Sequence, residues 1–385
     1  MDFSLSEDQI LIKQIADKFS KEKLLPDYQK RESDSCIDPD LIREMGQLGL
    51  IGSDLSAVYG GNEVDGVTSG LIIEALAYGD INVSYIQLLA SLLGGVVQTH
   101  AAEELRAEYL PLVIQGEKLL SLGLTEPQTG SDAANLRLKA TRDGDDYILN
   151  GEKASISMAT CADLMVLFAR TGAADSRSGG VSGFLVPLDL PGIKRSRYTD
   201  LGTRVVGRGS VFFDNVRIPA SWMLGDEHKG FSQIMCGFDY SRALIALQCL
   251  ASAQASLDQT WQYVQERETF NAPLVKYQGV NFPLAEHESI IEATRVLCYK
   301  TLSLRDSNLP HTKEAAMVKW MGPKYSVNAI HDCLLLHGHA GYSTDMAHQQ
   351  RLRDVMGLEI GDGTAQIMKI IIAREIAGNA SVQYK

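Results

Sequence analysis

Asp362 is a carboxylate at a helix start, a residue type that can cap the helix or move a proton. It sits in Gly361-Asp362-Gly363-Thr364-Ala365-Gln366-Ile367, a turn that opens an apolar run over Ala365–Ala377. Beside an acidic C–H, and shielded from water, such a carboxylate acts as a general base. The competing reading is a helix cap, since Asp next to Gly and Thr at a helix start is ordinary. Thr364 and Gln366 open the same helix, whose first N–H groups can face an anion. A second group is Asp239-Tyr240-Ser241-Arg242. Asp239 and Arg242 are three apart, so they meet on one helix face, either around a polar ligand or as an ion pair of small value. A third is the polar loop Gly123-Leu124-Thr125-Glu126-Pro127-Gln128-Thr129-Gly130-Ser131-Asp132. Its hydroxyls and backbone N–H groups can meet a pyrophosphate, and the bland alternative is a loop that opens the next domain.

These residues need elements to hold them. Ser6 and Gln9 fit a capping box, and Ile12, Ile15, Ala16 and Phe19 follow as an amphipathic stripe. Helical patterns recur over 40–50, 70–79 and Glu103–Ile114, so residues 1–118 read as an all-helical domain. The period then changes. Tyr147-Ile148-Leu149 reads as a strand, Asn150-Gly151 as a hairpin turn, and 164–169, 183–188 and 210–216 as further short strands. Residues 119–228 are therefore expected to form a small β-barrel or sandwich. Helical patterns return over 232–267, 282–307 and 315–337, giving a third, helical domain over 229–385. The run Ala365–Ala377 is apolar nearly all round, which predicts burial in a bundle or an interface. The fold class is α+β, with helices, then strands, then helices.

Composition excludes several function classes. The formal net charge is -12, which does not suit a nucleic-acid backbone partner. The apolar stretch 88–97 is about half the length a membrane span needs, so no span is expected. Met1-Asp2-Phe3 does not begin a signal peptide, and a cytoplasmic location follows as an expectation. Cys36, Cys161, Cys236, Cys249, Cys298 and Cys333 form no CxxC pair and read as free thiols. No metal site is expected from them or from the histidines. His337 and His339 flank Gly338 in what reads as a tight loop. No GxGxxG follows a strand, so a Rossmann site is not supported.

The loop at Gly123–Asp132 resembles the T-E-P-x-x-G-S-D signature of the acyl-CoA dehydrogenases, with Thr129 and Asn135 replacing smaller residues. Other segments match that family in order. They are Phe213-Asp214-Asn215-Val216-Arg217-Ile218-Pro219, Gly225 to Phe231, and Arg267-Glu268-Thr269-Phe270 with Gln278. Gly338-His339-Ala340-Gly341-Tyr342 follows with Arg351, Arg353 and Asp354, then the turn at Asp362. The resemblance implies an N-terminal helical domain, a middle β domain and a C-terminal four-helix bundle, assembled as a homotetramer. It implies FAD as cofactor, an acyl-CoA substrate, and an electron-transferring flavoprotein as electron acceptor. Activity is then removal of the α-proton by a carboxylate and hydride transfer from Cβ to flavin N5.

Residue by residue, the resemblance makes Asp362 the catalytic base, one C–C bond shorter than the usual Glu. Ser241 fills the family's alternative base position and is no carboxylate. Asp239, Ser241, Arg242, Gly361 and Ser91 fall at substrate positions. Leu124, Thr125, Gly130, Ser131, Ser157, Leu335, Gly338, Thr364 and Gln366 fall at flavin positions. So does Ser155, where a Trp often covers the ring. Arg267, Phe270 and Gln278 correspond to residues that reach a neighbouring subunit's FAD. Asp in place of Glu resembles the branch that oxidises cyclic carboxyl-CoA esters such as cyclohexanecarboxyl-CoA. The diene-forming members of that branch carry an aspartate where the 88–92 stretch has Ser91, which favours simple 1,2-dehydrogenation. Asp also resembles a branch acting on malonyl-type units of a carrier protein. A non-catalytic binding protein of the same fold and an oxidase that uses oxygen are the rival classes.

Overall fold

A computed structural model describes residues 4–381. The opening Met1-Asp2-Phe3, read above for a targeting signal, lies outside the described residues. The Ser6 capping box forms in both directions: Gln9 N–H donates to Ser6 Oγ at 3.2 Å, and Ser6 N–H to Gln9 Oε1 at 3.1 Å. Ala16 and Phe19 of the following helix are buried, as the stripe predicts. Helices Pro39–Gln47, Gly66–Gly79, Ile81–Leu89 and Glu103–Ile114 complete the N-terminal domain. The helix from Ile81 continues through a π turn, Ala90–Gly94, to His100. This run of 20 residues is apolar and long enough to cross a membrane, about twice the apolar stretch expected from the sequence. Its most apolar window is 89% buried inside the protein. It is the core helix of the domain.

The middle domain holds eight strands in one sheet: β1 Leu120–Gly123, β2 Lys139–Asp143, β3 Asp146–Ile156, β4 Leu164–Arg170, β5 Val181–Pro187, β6 Ile193–Arg197, β7 Gly209–Pro219 and β8 Met223–Leu224. The order is β6-β7-β3-β2-β4-β5-β8, with β1 parallel to β4. Asn150-Gly151 is not the hairpin turn. The chain runs straight through it, and the β3–β7 register slips between Leu149 and Gly151. Gly151 makes the bulge because its φ is 144° and a Cβ there would stand 2.9 Å from Leu138 Cα. The β2–β3 turn instead lies at Gly144-Asp145, between the paired Asp143 and Asp146.

Four helices close the chain: Gly230–Glu266, Gln278–Asp306, Thr312–Leu336 and, after a short helix His348–Met356, Ala365–Ala377. Gly322 lets the third approach the first, since a Cβ there would meet Ala246 Cα at 2.8 Å. Asp354 ties the three domains together. Buried, it accepts from Tyr28 Oη at 2.7 Å, from Asn82 Nδ2 at 2.9 Å, and from the Thr203 backbone N–H. Desolvation pushes its carboxyl up to about 6, against the pull of those donors. A disulfide, Cys36–Cys161, joins the N-terminal and middle domains and corrects the expectation of six free thiols. Its partners are 125 residues apart, a pairing that only the packing of two domains creates. Cys249, Cys298 and Cys333 are free and buried, and Cys236 is free and exposed.

Candidate active site

The three domains meet around a cavity of about 1110 Å³. The loop after β1 supplies Leu124, Thr125, Gly130 and Ser131, and the end of β3 supplies Ser155 and Ser157. The first bundle helix adds Ser241 and Arg242, and the last turn adds Gly361, Asp362 and Thr364. Tyr85, Leu88, Leu89 and Leu92 form the apolar wall from the N-terminal domain, with Met235 and Phe238 opposite in the bundle.

Asp362 stands in the wall with φ 58°, an uncommon backbone state for a residue with a side chain. Thr364, not Asp362, caps the last helix, its Oγ1 accepting from Ile367 N–H at 3.3 Å. The Asp362 carboxylate is free for other work and accepts from Ser241 Oγ at 3.0 Å. Burial raises its pKa above the ordinary aspartate range. Arg242, Lys319 and the Ser241 hydroxyl pull it down, and Asp239 pushes it up. The result is a carboxylate that binds its proton more readily than one in water, which is what a base must do. Arg242 in turn donates to Asp239 at 2.7 Å, and Asp239 accepts from Thr312 Oγ1 at 2.6 Å. Asp239 thus stands just behind the cavity lining and anchors the arginine that reaches it.

The signature loop is held by a pair the sequence reading did not single out. Glu126 is buried and accepts from the backbone N–H groups of Arg137 at 2.6 Å and Leu138 at 2.8 Å. Lys153 Nζ donates to Glu126 at 2.8 Å and to Leu124 O at 3.0 Å. Burial pushes the Lys153 ammonium down to about 8, with Glu126 pulling it back up. The wall beside Ser155 was also missed. Ser155 has φ 58° and donates its N–H to Tyr198 Oη at 3.4 Å. Arg208 bonds Asp200 through Nε at 2.8 Å and lies 5.5 Å over the Tyr198 ring. Tyr198 and Arg208 both line the cavity there, next to a position where the family often carries Trp. No local spacing announces them, because β6 and β7 bring them to β3 only through sheet pairing.

Several expected site residues lie elsewhere. Ser91 is buried, but its Oγ donates to Asp54 at 2.8 Å and accepts from Gln87 Nε2 at 3.1 Å, outside the cavity lining. Arg267 ends the first bundle helix, Phe270 is 89% exposed on the following hairpin, and Gln278 starts the next helix. Leu335 is 58% exposed, Gly338 has φ 59° with open space where a Cβ would stand, and Gln366 faces outward. None of these seven lines the cavity of its own chain. Met368 is the buried residue of the helix Ala365–Ala377, while Ile370 and Ile376 stand exposed on it.

Three family models match the chain in succession. They are the N-terminal domain of acyl-CoA dehydrogenase over residues 6–117, its middle domain over 121–216 and its C-terminal domain over 228–377. The chain belongs to the acyl-CoA dehydrogenase family. A probable acyl-CoA dehydrogenase of Bacillus subtilis, YngJ, is 33% identical over 98% of this chain and 100% of its own. The butyryl-CoA dehydrogenase structure from Megasphaera elsdenii is 29% identical with a TM-score of 0.94, covering 98% of this chain and 100% of that one. A glutaryl-CoA dehydrogenase from Mycobacterium smegmatis, solved in complex with FADH2, is 28% identical with a TM-score of 0.92, covering 98% and 96%. The protein is an FAD-dependent oxidoreductase that dehydrogenates acyl-CoA. The residues present fit that cofactor. Beside the loop, Gly130 has no atom within 4 Å of where a Cβ would stand, and Thr129 Oγ1 is buried without a partner. The cavity is also larger than a single small ligand requires.

Proposed function

We propose that this enzyme carries out 1,2-dehydrogenation of a compact cyclic or branched acyl-CoA, with cyclohexanecarboxyl-CoA as the type case and Asp362 as the base. The observation that carries this reading is the Asp362 carboxylate in the cavity wall, held by Ser241 and uncommitted to the helix cap. The base takes the α-proton, and the Cα–H electron pair forms the new double bond as hydride leaves Cβ. Bound FAD supplies the acceptor for that hydride. Arg242, steadied by Asp239, binds near the thioester, and Thr125, Ser131, Ser157 and Thr364 hold the flavin.

Room for a bulky acyl group is the argument for the substrate. Asp reaches about 1.5 Å less far than Glu. Gly361 adds space, because a Cβ there would meet only Gly357 O, at 3.6 Å. The surrounding wall is Leu88, Leu89, Leu92, Met235 and Phe238, with Tyr85 beside them. The N-terminal-domain part of this wall, Tyr85, Leu88, Leu89 and Leu92, carries no carboxylate to serve diene formation, and Asp54 behind it is committed to Ser91 and to Tyr240, 2.9 Å away. Arg267, Phe270, Gln278, Leu335, Gly338 and Gln366 complete the FAD site of a neighbouring chain, within a homotetramer. Electrons then pass to an electron-transferring flavoprotein. A cytoplasmic location belongs to the same reading, although the Cys36–Cys161 bond is unusual for a reducing compartment.

The test is anaerobic mixing of FAD-loaded enzyme with butyryl-, isobutyryl- and cyclohexanecarboxyl-CoA while flavin absorbance is followed. We expect the cyclic ester to bleach the flavin at least about tenfold faster than butyryl-CoA, a size of preference that apolar pockets achieve. A faster reaction with butyryl-CoA overturns the substrate. If no acyl-CoA reacts but a carrier-protein thioester does, the carrier-protein branch takes its place. Peroxide release in air, with no reduction of electron-transferring flavoprotein, would make the enzyme an oxidase.

A further inference from the structure

Lys319 lies in the middle of the helix Thr312–Leu336 and is 1% exposed. A buried ammonium is costly unless its donors are satisfied. Here two of them are taken by the turn that carries Asp362. Lys319 Nζ donates to Leu358 O at 2.8 Å and to Gly363 O at 3.2 Å. These carbonyls bracket Asp362 in the chain; a 3-10 turn, Gly357–Glu359, holds the backbone as far as Gly361, whose N–H bonds Gly357 O at 3.0 Å, and no sheet or helix carries it on through Asp362 and Gly363. The turn needs such a hold, because Asp362 has φ 58° and Gly363 φ 97°. We propose that Lys319 is the positioning residue of the active site: its grip on the carbonyls of Leu358 and Gly363 fixes the direction in which Asp362 presents its carboxylate. This inference rests on the reading of Asp362 as the base.

The same ammonium acts on charge. The groups facing Asp362 are Arg242, Asp239 and Ser241 from the first bundle helix, Lys319 from the third and Tyr85 from the N-terminal domain, while Glu359 in the turn faces Lys319. Arg242 has its charge matched by Asp239 at 2.7 Å. Lys319 bonds carbonyls, not a carboxylate, and Asp362 is the leading charge acting on it, with Glu359 a lesser one. Lys319 therefore favours the ionised base, opposing the desolvation that favours the protonated acid.

The experiment compares Lys319→Met, Lys319→Arg and Asp362→Asn as FAD-loaded full chains. The acyl-CoA used is whichever of the three esters above reduces the parent fastest. Two quantities are followed across pH: the anaerobic rate of flavin reduction, and exchange of the α-hydrogen for deuterium by NMR. Lys319→Met should slow both about 10²-fold, the scale of a misplaced reacting group. Acyl-CoA affinity should hold, and the rising limb of the pH profile should move to higher pH, because a cation beside the base is gone. Lys319→Arg should restore the position of the limb and most of the rate. A Met variant with the parental rate and limb overturns the proposal. So do Met and Arg variants that are equally slow with an unmoved limb, since that is loss of packing alone. Should the Met variant not fold, Lys319→Gln, which keeps donors but no charge, carries the same comparison. Asp362→Asn separates the two readings. If it reacts at the parental rate, the base assignment fails. If it is inactive while Lys319→Met is normal, only the Lys319 role fails.

Discussion

The cavity wall around Asp362 and the surface carrying Phe270 and Gly338 are both family signature regions, yet they are built in opposite ways. The wall draws on three domains and each piece is anchored. Glu126 and Lys153 hold the loop, Asp239 holds Arg242, and Ser241 bonds Asp362. The surface comes from the C-terminal domain alone, projects outward and leaves large apolar groups bare. In the proposed reading, one chain thus finishes the part of the site where bonds change. It leaves unfinished the part that, in the proposed assembly, grips a neighbour's cofactor. Chemistry tolerates little misplacement and is built within a single fold, whereas binding area can be completed by association.

The strongest way to break this contrast is Asp362→Asn. The variant keeps the shape and removes the basicity, and loss of a positioned base costs about 10²–10⁴-fold in rate. Single-turnover flavin reduction should fall by that amount while acyl-CoA affinity holds. A parental rate would mean that the finished half is not where the proton moves. The parental pH profile should rise through a limb above the ordinary aspartate range, because burial raises the Asp362 pKa and only the ionised form is active.

The open half is tested by Ile370→Glu with Ile376→Glu on the exposed last helix. If a neighbour covers this face, the buried charges weaken association by about 2–5 kcal/mol. Sedimentation should show smaller species, and the FAD-to-protein ratio should fall with them. A stable monomer that keeps its FAD would show that one chain suffices.

Between these extremes lies the Cys36–Cys161 link, which joins two of the domains that frame the cavity. Without reductant, denatured protein should yield four reactive thiols, those of Cys236, Cys249, Cys298 and Cys333. With reductant it should yield all six. Cys36→Ser should lower stability by about 2–5 kcal/mol in denaturant titrations. Six free thiols in protein alkylated at lysis would leave the two domains joined by packing alone.

Local signals carried much of this molecule. The Ser6 box, the Glu103–Ile114 and Ala365–Ala377 helices and the ordered motifs all read from residues close in sequence. What the sequence did not disclose was made by convergence. Cys36 meets Cys161 across 125 residues, Tyr198 reaches Ser155 through sheet pairing, and Lys319 reaches the Asp362 turn from another helix. Asn150-Gly151 failed for a related reason: its turn propensity was overruled by a long β3–β7 ladder that absorbs glycine as a bulge. Ser91 is different, because its placement was legible. Tyr85, Leu88, Leu89 and Leu92 recur at helical spacing and form one stripe, which faces the cavity. Ser91 lies off that stripe.

That difference sets the smallest effect. Ser91→Ala should leave flavin reduction at the parental rate, because the side chain touches Asp54 and Gln87 and not the cavity. It should still cost about 1–3 kcal/mol of stability, the usual penalty for depriving a buried acceptor of a donor. The loss should depend on pH in a definite direction. Burial raises the Asp54 pKa, and the Ser91 hydrogen bond opposes that rise, so removing Ser91 raises it further. Below the unfolded value of 3.8 the folded and unfolded chains both hold the proton, and the charge-assisted part of the bond contributes nothing. As pH rises past the raised folded value, Asp54 ionises in both states and the missing hydroxyl is felt in full. Destabilisation by Ser91→Ala should therefore grow as pH increases, in denaturant titrations run in parallel with the parent. A variant that slows flavin reduction with its stability unchanged would return Ser91 to the substrate wall.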